Sequence, residues 1–562
     1  MFRKADLLTI VGLTLLSFTN CTFAQKANEY DHAAVVSAHP EATKAGVQIL
    51  KSGGNAIDAG VAVQFALAVV YPNAGNIGGG GFFVYRDKKG NSTTLDYREK
   101  APSKASKDMY LDEKGDAITD KSLYGALASG IPGSVEGMVQ AHKNYGKLSW
   151  KTDLQPAIDL AENGFAITAQ QAGEFNRLKE TFLKYNSKPV AFVKDGEWKA
   201  GDLFKQPELA QTLKLIRDKG RAGFYEGPVA SAIVAAMQHT KGIITKEDLK
   251  AYNAVWRKPV TGTYKDYHVI SMPPPSSGGI ALLTLLKQVS KFPLTRWGFQ
   301  TDSTVQLIVE AERRAYADRA SYLGDPDYFK VPGKALLDTN YINARLANLD
   351  FSKATPSTSV KPGTLPNYES EQTTHFSIVD AEGNAVSATT TLNGSYGSMV
   401  VVPGAGFLLN NEMDDFSVKP GTPNVYGLIG GVANAIEPGK RMLSSMTPTI
   451  IEKDGKLVMV VGTPGGSTII TSVFQTVLNV LTFGKNMQEA VAAPRFHHQW
   501  LPDEVYVEDG AITESVRTEL TLKGYKIVPR GSIGRVDAIL VKANGKLETG
   551  ADPRGNDTGG GY

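Results

Sequence analysis

The segment Ala56–Val70 restricts the possible fold more than any other part of the sequence. Most of its side chains are alanine, valine, leucine or phenylalanine, and they leave no continuous polar face. A helix that is apolar on every side has to be covered on every side, so this segment predicts a helix inside a large core. The chain can supply that core, because it has 562 residues, 42% hydrophobic and 21% charged. Such a composition is typical of a folded globular protein.

Strand-like and helix-like segments alternate around this helix. The first part of the chain predicts a strand at 33–38, a helix over Pro40–Lys51, strands at 82–86 and 93–97, mostly helix over 104–348 and an exposed, flexible linker at 352–368. Length alone corresponds to about three or four domains. Chains of α/β type often exceed that size as one unit, so the domain count stays open.

Two hairpins follow the linker. The first predicted hairpin pairs Thr374–Val379 with Ala385–Thr391 around an Ala-Glu-Gly-Asn turn. The second pairs 449–451 with 457–461, and the sequence Thr-Pro-Gly-Gly then leads into a predicted helix over 467–481. Strands followed by helices predict a layered α/β architecture.

The N-terminus resembles an export signal. Arg3 and Lys4 precede an apolar run at 7–18, and small residues end at Ala24, where we predict cleavage. The run is shorter than the roughly 20 residues that span a bilayer, so we expect no permanent membrane anchor. We expect a periplasmic or secreted bacterial protein. A lipid-modified Cys21 is the alternative, which the bulky preceding Asn20 disfavours.

Composition and motifs exclude several classes of protein. The one cysteine, Cys21, lies in the predicted signal, so disulfides, zinc-thiolate sites and cysteine nucleophiles are excluded from the mature chain. A net charge of +3 without basic blocks argues against a nucleic-acid partner. The eight histidines show no metal-binding spacing, and serine-hydrolase and P-loop motifs are missing from the sequence. The glycines at 78–81 are consistent with either an anion site or close backbone packing.

Thr373 is the candidate nucleophile that remains. It lies where the polar linker ends and a strand begins. Cleavage of the bond between Gln372 and Thr373, by attack of the Thr373 hydroxyl, would free an α-amino group to act as the base. The reference pKa of such an amine, about 7.7–8.0, suits that role near neutral pH. The alternative is that Thr373 only begins a strand, where threonine is common.

At this point several motifs together resemble those of the γ-glutamyltransferases, also called γ-glutamyltranspeptidases or glutathione hydrolases. The motifs are DYREKAP at 96–102, TTHFS at 373–377, TLNGSYGS at 391–398, NEMDDF at 411–416, LSSMTP at 443–448 and GTPGG at 462–466. The resemblance implies an N-terminal nucleophile hydrolase with a four-layer αββα sandwich. It also implies self-cleavage into a large subunit, 25–372, and a small subunit, 373–562, which remain paired as a heterodimer.

The resemblance also implies a role for each motif residue. Thr373 would be the nucleophile and Thr391 would orient it. The amides of Gly465 and Gly466 would form the oxyanion hole, a role that a glycine pair between a strand and a helix can fill on physical grounds. A tight turn is the simpler interpretation of that glycine pair.

The remaining motif residues would bind substrate. Arg98 would hold the substrate α-carboxylate by a bidentate ion pair, and the other implied binding residues are Ser444 and Ser445 for the carboxylate, and Asn393, Glu412 and Asp415 for the α-ammonium. Residues 419–440, with Tyr426, would form a lid over the acyl-enzyme. Asp552 to Gly555 resemble the end of family sequences, and we expect only a structural role for them.

The implied activity is that of a ping-pong enzyme acting on small molecules. It would cleave the γ-glutamyl amide of glutathione and related compounds, and transfer the acyl group to water or to an amino acid or peptide. We expect neither a metal nor an organic cofactor. Two alternatives remain: an amidase for another acyl group, such as a cephalosporin side chain, and an exported protein that binds glutamyl peptides without turnover.

Overall fold

Two seven-stranded antiparallel sheets lie at the centre of the fold. The computed structural model describes residues 27–360, 373–418 and 432–562. The predicted signal peptide with Cys21, the residue Gln372 and the predicted lid residue Tyr426 lie outside the described residues. The described strands are β1 (Asn28–Tyr30), β2 (Ala34–Ser37), β3 (Gly80–Arg86), β4 (Ser92–Asp96), β5 (Phe165–Ala166), β6 (Leu203–Phe204), β7 (Val255–Arg257), β8 (Val260–Tyr264), β9 (Tyr267–Ser271), β10 (Thr374–Val379), β11 (Ala385–Thr391), β12 (Thr449–Lys453), β13 (Lys456–Gly462), β14 (Phe496–His497), β15 (Val505–Val507), β16 (Ile527–Pro529), β17 (Asp537–Val541), β18 (Leu547–Gly550) and β19 (Thr558–Gly561).

Helices connect these strands and cover the sheets. The described α-helices are α1 (Pro40–Lys51), α2 (Ala56–Val70), α3 (Thr119–Leu123), α4 (Ser134–Tyr145), α5 (Trp150–Asn163), α6 (Ala169–Tyr185), α7 (Pro207–Lys219), α8 (Ala222–Tyr225), α9 (Gly227–His239), α10 (Lys246–Ala251), α11 (Gly278–Val289), α12 (Leu294–Trp297), α13 (Asp302–Tyr322), α14 (Gly333–Leu336), α15 (Thr339–Leu346), α16 (Thr468–Leu481), α17 (Met487–Ala492) and α18 (Glu514–Leu522). Short 3₁₀ turns occur at Ala126–Ala128, Glu412–Asp415 and Val432–Asn434.

The layers stack as an αββα sandwich. The first sheet has the order β19-β2-β10-β11-β3-β4-β7, and the second has the order β1-β18-β17-β13-β12-β9-β8. The sheets face each other through β10 and β11 against β13 and β17. Helices α1 and α2 cover the first sheet, whereas α11, α16 and α17 cover the second. The four-layer sandwich that the resemblance implied is therefore the observed architecture.

Helix α2 confirms the expectation from its sequence. All of its residues are buried, because α1, α4 and α5 pack around it on one side and the first sheet lies on the other. Asn55 and Asp58 form a capping box that fixes its N-terminal end. The bounds of α1 and of the β10–β11 hairpin also agree with the predicted ones.

The middle of the chain differs from its mostly helical pattern in one respect. Five strands, β5 to β9, lie there; β5 and β6 pair with each other, and β8 and β9 complete one edge of the second sheet. Half-exposed side chains in β7 and alternating exposure in β8 mark both as edge strands, which carry little apolar signal. In the described part of the predicted linker, most residues between 352 and 360 are exposed, whereas Ser357 and Val360 are buried.

The two predicted subunits do not form two separate sheets. Strands from before residue 361 and from after residue 372 alternate within both sheets; β11, for example, lies between β10 and β3, and β12 lies between β13 and β9. A cut between the two parts would therefore leave them joined by backbone hydrogen bonds along both sheets. The described chain forms one layered unit rather than the three or four domains that length alone suggested.

Candidate active site

Thr373 directly precedes β10, and Thr391 is the last residue of β11, the neighbouring strand at the centre of the first sheet. The hairpin register pairs Thr374 with Thr390, and its continuation brings Thr373 beside Thr391. Both side chains are almost fully buried, with exposed fractions of 7% and 2%. The hydroxyl of Thr391 accepts a hydrogen bond of 2.7 Å from the Asn393 N–H, which fixes the orientation of the hydroxyl next to the candidate nucleophile.

Asn393 is held in the turn that follows β11. Its backbone is left-handed, with φ of 70°, a conformation that asparagine tolerates better than most residues. Its side-chain amide donates to the Asn411 carbonyl at 3.0 Å, and the Asn411 side chain accepts from the Gly394 N–H at 2.8 Å. These bonds tie the turn after Thr391 to the segment that carries Glu412 and Asp415.

Arg98 lies at the centre of a buried ion cluster. Its side chain is 1% exposed, and one guanidinium nitrogen, Nη1, lies 2.6 Å from Glu412 and 3.5 Å from Glu99. The other, Nη2, pairs with Asp415. The Arg98 backbone N–H donates to Asp96 at 3.0 Å, which holds the segment after β4 in place.

The ion cluster is connected to the two threonines through strand β3. The Glu99 carboxylate lies against Gly80, where a Cβ atom would be 2.6 Å from Glu99 Oε2. Gly80 is the β3 residue paired with Thr391. Because neighbouring strands are about 4.8 Å apart, the backbone of the Arg98 segment lies a few strand spacings from that of Thr373, in the same sheet.

The cluster has more buried carboxylates than cations. One guanidinium faces Glu99, Glu412 and Asp415, all of which are buried. Burial raises the pKa of Glu99 to about 8, against the opposing effect of Arg98. Burial, together with the neighbouring carboxylates Glu99 and Asp415, also raises the pKa of Glu412 well above its usual range. A ligand that brings an ammonium group would therefore be stabilised here, because it adds the missing positive charge.

The neighbouring aspartates Asp414 and Asp415 have different partners. Asp414 accepts a hydrogen bond of 2.6 Å from the Ser122 hydroxyl, and burial raises its pKa to about 7. Asp415 points to Arg98. The resemblance implied a binding role for Asp415 and none for Asp414, and of the two only Asp415 contacts Arg98 in the structure.

Ser444 and Ser445 follow directly on the backbone that contacts Arg98. The carbonyl groups of Met442 and Leu443 each accept a hydrogen bond of 3.3 Å from the Arg98 guanidinium. The Ser444 oxygen accepts from the Met446 N–H at 3.2 Å. The Ser445 oxygen accepts from Arg319 at 3.3 Å.

Arg319 is a residue that sequence reasoning missed. It lies on α13 with an exposed fraction of 2%, and its Nε donates to the Ser277 hydroxyl at 2.9 Å. Ser277 in turn donates to the Ser444 carbonyl at 2.7 Å. Arg319 therefore holds the Ser445 side chain directly and the Ser444 backbone through Ser277. The sequence signal that could have revealed Arg319 is the high density of charged residues in α13, a helix that is mostly buried.

Gly465 and Gly466 lie between β13 and α16 with left-handed backbones, at φ of 133° and 55°. Their carbonyl groups accept from Thr468 N and Ile469 N at 3.1 and 3.0 Å. Among the described residues, neither glycine N–H donates a hydrogen bond. Two unpaired N–H groups next to a helix N-terminus can stabilise a developing negative charge.

The position of this loop is set by β13. Its last residue, Gly462, lies against the His375 ring, since a Cβ atom there would be 2.2 Å from His375 Cε1. His375 is two residues beyond Thr373 and faces the same side of the strand. The glycine loop therefore begins beside the end of β10 that carries Thr373.

The glycines at 78–81 serve close packing rather than anion binding. A Cβ atom would lie 2.1 Å from the Leu408 carbonyl oxygen at Gly78 and 2.0 Å from the Thr391 carbonyl oxygen at Gly79. The Gly79 N–H donates to the Asn76 side chain at 3.0 Å. Of the two interpretations left open by the sequence, close backbone packing fits.

Comparison with known proteins agrees with this geometry. A family model described as gamma-glutamyltranspeptidase matches residues 42–562. The chain belongs to the γ-glutamyltranspeptidase family. The resemblance that the motifs indicated is thereby confirmed.

Relatives in this family match over nearly the whole chain. A protein named glutathione hydrolase proenzyme from Escherichia coli is 48% identical over 93% of this chain and 90% of its own length. A protein of the same name from Pseudomonas aeruginosa is 47% identical over 100% of this chain and 98% of its own length.

Solved structures show the same fold. The cephalosporin acylase from Bacillus halodurans superposes with a TM-score of 0.85 at 27% identity, over 100% of this chain and 99% of that one. A chain of the γ-glutamyltranspeptidase from Helicobacter pylori is 46% identical, with a TM-score of 0.57, over 58% of this chain and 94% of that one. In the described part of this family member, no helix has the length and apolar character needed to cross a bilayer.

Proposed function

We propose that this chain is a γ-glutamyltransferase and glutathione hydrolase that matures by cutting itself between Gln372 and Thr373. The observation that carries the proposal is the buried Arg98–Glu412–Asp415 cluster, whose arginine follows β4 in the sheet that holds the two threonines. Beside it stand the Gly465 and Gly466 N–H groups, which donate no hydrogen bond among the described residues. The charges of the cluster are complementary to those of an α-amino acid. The threonines supply a nucleophile, and the glycine amides supply the hydrogen-bond donors that acyl transfer needs.

Maturation would begin with attack of the Thr373 hydroxyl on the Gln372 carbonyl carbon. The peptide C–N bond then breaks, the acyl group moves to oxygen as an ester, and water hydrolyses that ester. The products are a carboxylate at Gln372 and a free α-amino group on Thr373. The two parts would stay together because strands of both lie in each sheet.

In the mature enzyme, the new amine would accept the proton of the Thr373 hydroxyl. The oxygen then attacks the γ-carbonyl carbon of the substrate, and the oxyanion accepts hydrogen bonds from Gly465 N–H and Gly466 N–H. Collapse releases the amine with a proton and leaves a γ-glutamyl ester on Thr373. Water or an acceptor amine completes the cycle. The Thr391 hydroxyl, fixed by the Asn393 N–H, would orient the nucleophile.

Substrate recognition would follow from the charges of the cluster. Arg98, with the hydroxyl groups of Ser444 and Ser445, would bind the α-carboxylate by charge-assisted hydrogen bonds. Asn393, Glu412 and Asp415 would accept from the α-ammonium group. Because Glu412 and Asp415 already pair with Arg98, a ligand carrying both charges extends an existing network, whereas a simple acid does not.

The predicted location and lid extend this proposal. We expect the mature chain to begin near Gln25 and to act in the periplasm or the medium, after removal of residues 1–24. Tyr426, in the predicted lid at 419–440, lies outside the described residues and its role stays a prediction.

One experiment tests the proposal as a whole. The purified protein should run as two chains, the lighter one beginning at Thr373, and should release amine from a γ-glutamyl anilide, faster with a dipeptide acceptor. The Thr373→Ala variant should remain one chain without activity, and the matched variant Thr374→Ala should still split. A light chain that begins at another residue would overturn the processing scheme.

The acylase alternative rests on the fold neighbour from Bacillus halodurans. The same preparation should be assayed on a cephalosporin whose acyl side chain lacks an α-amino group. We expect the rate to be far below that with the γ-glutamyl anilide. Such a substrate has no ammonium group to pair with the carboxylates of Glu412 and Asp415. Comparable rates would favour the acylase.

A further inference from the structure

A second buried cluster of titratable side chains lies away from the catalytic residues. Asp58 on α2, His142 on α4 and Asp153 on α5 each offer one ligand atom, and these atoms lie within 4.8 Å of one another. The Asp153 side chain is 0% exposed and the His142 side chain 18%. The sequence could not reveal this cluster, because its members come from three separate helices.

The cluster lies near the far end of the β10–β11 hairpin. The Ala56 N–H, next to Asp58, donates to Asp380 in the hairpin turn at 2.9 Å. Thr373 is at the opposite end of β10, about 20 Å away at the usual rise of a strand. The cluster is therefore separate from the proposed active site.

Two buried carboxyl groups in this cluster lack a compensating cation. Asp58 accepts three backbone N–H groups, from Asn55 and Lys147 at 2.8 Å and from Leu148 at 3.2 Å. Both oxygens of Asp153 are buried, and no group among the described residues donates a hydrogen bond to either of them. Among the described residues, the ion pairs of the two groups include no lysine or arginine; only His142 lies near, 3.5 Å from Asp153.

Such a pair has to be neutralised by a proton or by a metal ion, because two adjacent buried charges of one sign are costly. The first possibility, a shared proton, satisfies only one Asp153 oxygen. The second would use both carboxylates as ligands.

The distances fit a small coordination shell. His142 Nε2 lies 3.0 Å from the Leu148 carbonyl oxygen and 3.5 Å from Asp153 Oδ2. Ligand atoms about 2.0–2.1 Å from a tetrahedral Zn²⁺ are about 3.3 Å from each other. His142 Nε2 is therefore at such a ligand-to-ligand distance from both oxygens, and the ligand atom of Asp58 lies within 4.8 Å of those of His142 and Asp153. The partly exposed side chain of His142 offers the route of entry.

We propose that Asp58, His142 and Asp153, with the Leu148 carbonyl oxygen, form a binding site for one divalent transition-metal ion, Zn²⁺ above all. Two carboxylates and an imidazole suit Zn²⁺ or Mn²⁺, whereas Ca²⁺ needs six to eight oxygen ligands. On binding, Asp153 is ionised and the imidazole hydrogen now facing Leu148 moves to Nδ1. The ion links the ends of α2, α4 and α5.

The test measures metal bound to full-length protein purified without a histidine tag. The protein is incubated with Zn²⁺, desalted and analysed for metal by mass spectrometry, with Mn²⁺ and Ca²⁺ in parallel. The expected result is about one Zn²⁺ per chain. Asp153→Asn, which preserves the shape of the side chain, should weaken Zn²⁺ binding at least about 100-fold in equilibrium dialysis and leave γ-glutamyl turnover unchanged.

A matched control uses a histidine that lies beside a single carboxylate. His268 is 3.2 Å from Glu452, and His268→Gln should bind Zn²⁺ like the wild type. If Asp153→Asn fails to fold, His142→Gln decides in its place. The proposal is overturned if the wild type binds no Zn²⁺ at 100 µM in dialysis, if the cluster variants bind it as the wild type does, or if Ca²⁺ is preferred.

Discussion

The oxyanion hole gives the sharpest quantitative prediction, through the substitution Gly465→Ala. The backbone of Gly465 has φ of 133°, a region that L-residues rarely adopt. An added Cβ would lie 2.5 Å from Thr468 Oγ1 and 3.1 Å from Gly534 Cα. Thr468 cannot move freely, because its hydroxyl donates to the Gly465 carbonyl at 2.7 Å. The loop itself therefore has to shift.

The size of that shift sets the expected loss. An ordinary contact begins at 3.4 Å, so the new Cβ has to move by nearly an ångström. A displacement of that size lengthens an oxyanion hydrogen bond from its usual length of about 2.9 Å to beyond 3.6 Å, where it no longer counts as one. Loss of one such donor costs about 10²–10³ in kcat, or about 2.7–4 kcal/mol of transition-state stabilisation. Backbone strain adds about 1–3 kcal/mol of destabilisation.

The assay is steady-state amine release from a γ-glutamyl anilide, expressed per mole of processed enzyme. We expect kcat to fall at least 100-fold while KM changes little, because the lost interaction exists only in the transition state. Gly53→Ala is the control, because Gly53 also has positive φ, 90°, but open space around it. The Gly53→Ala variant should be less stable than the wild type, because its backbone is strained, but its kcat should be unchanged. A folded, processed Gly465→Ala enzyme with kcat within threefold of the wild type would refute the oxyanion role.

Two further predictions follow from the buried charges. Asp415→Asn should raise KM for γ-glutamyl substrates at least tenfold, because Asp415 pairs with Arg98, whereas Asp414→Asn should change KM less than threefold, because Asp414 binds Ser122; equal effects in steady-state assays would contradict the assignment. Burial lowers the pKa of His375 and His497 to about 3, so the unfolded chain, with a histidine pKa near 6.5, takes up protons that the folded chain does not. The contribution of each histidine to the free energy of unfolding is therefore fully present above about pH 6.5 and is lost towards pH 3, by up to about 1.4 kcal/mol per pH unit. Buried carboxyl groups with raised pKa, such as Glu99 and Asp414, act in the opposite direction, so the measurement is the difference between the wild type and His497→Gln. The urea midpoint of the wild type should decrease relative to that of His497→Gln as the pH is lowered from 7 to 5; a difference that does not change with pH would contradict the prediction.

Much of the site was predictable from sequence because its parts are local. Each motif is a short run of the sequence, such as the glycine pair after β13, so its residues can be recognised without knowing the fold. The β10–β11 hairpin agrees with its prediction because register follows from turn and pattern. The residue roles implied by the resemblance remain predictions.

The structure added what depends on distant partners. The sequence did not reveal the role of Arg319, because that role depends on its contacts with Ser277 and Ser445, which are distant along the chain. The edge strands β7 and β8 were missed because half-exposed strands carry weak patterns.

The sequence by itself therefore determined the buried helix, the hairpins and the family of the chain. Those features depend on residues close together along the chain. Only the tertiary structure decided which carboxylate faces Arg98, which glycine N–H groups have no acceptor among the residues described, and that Asp58, His142 and Asp153 lie together. Each of these depends on side chains from separate elements, whose burial and charge are set by packing and not by local sequence.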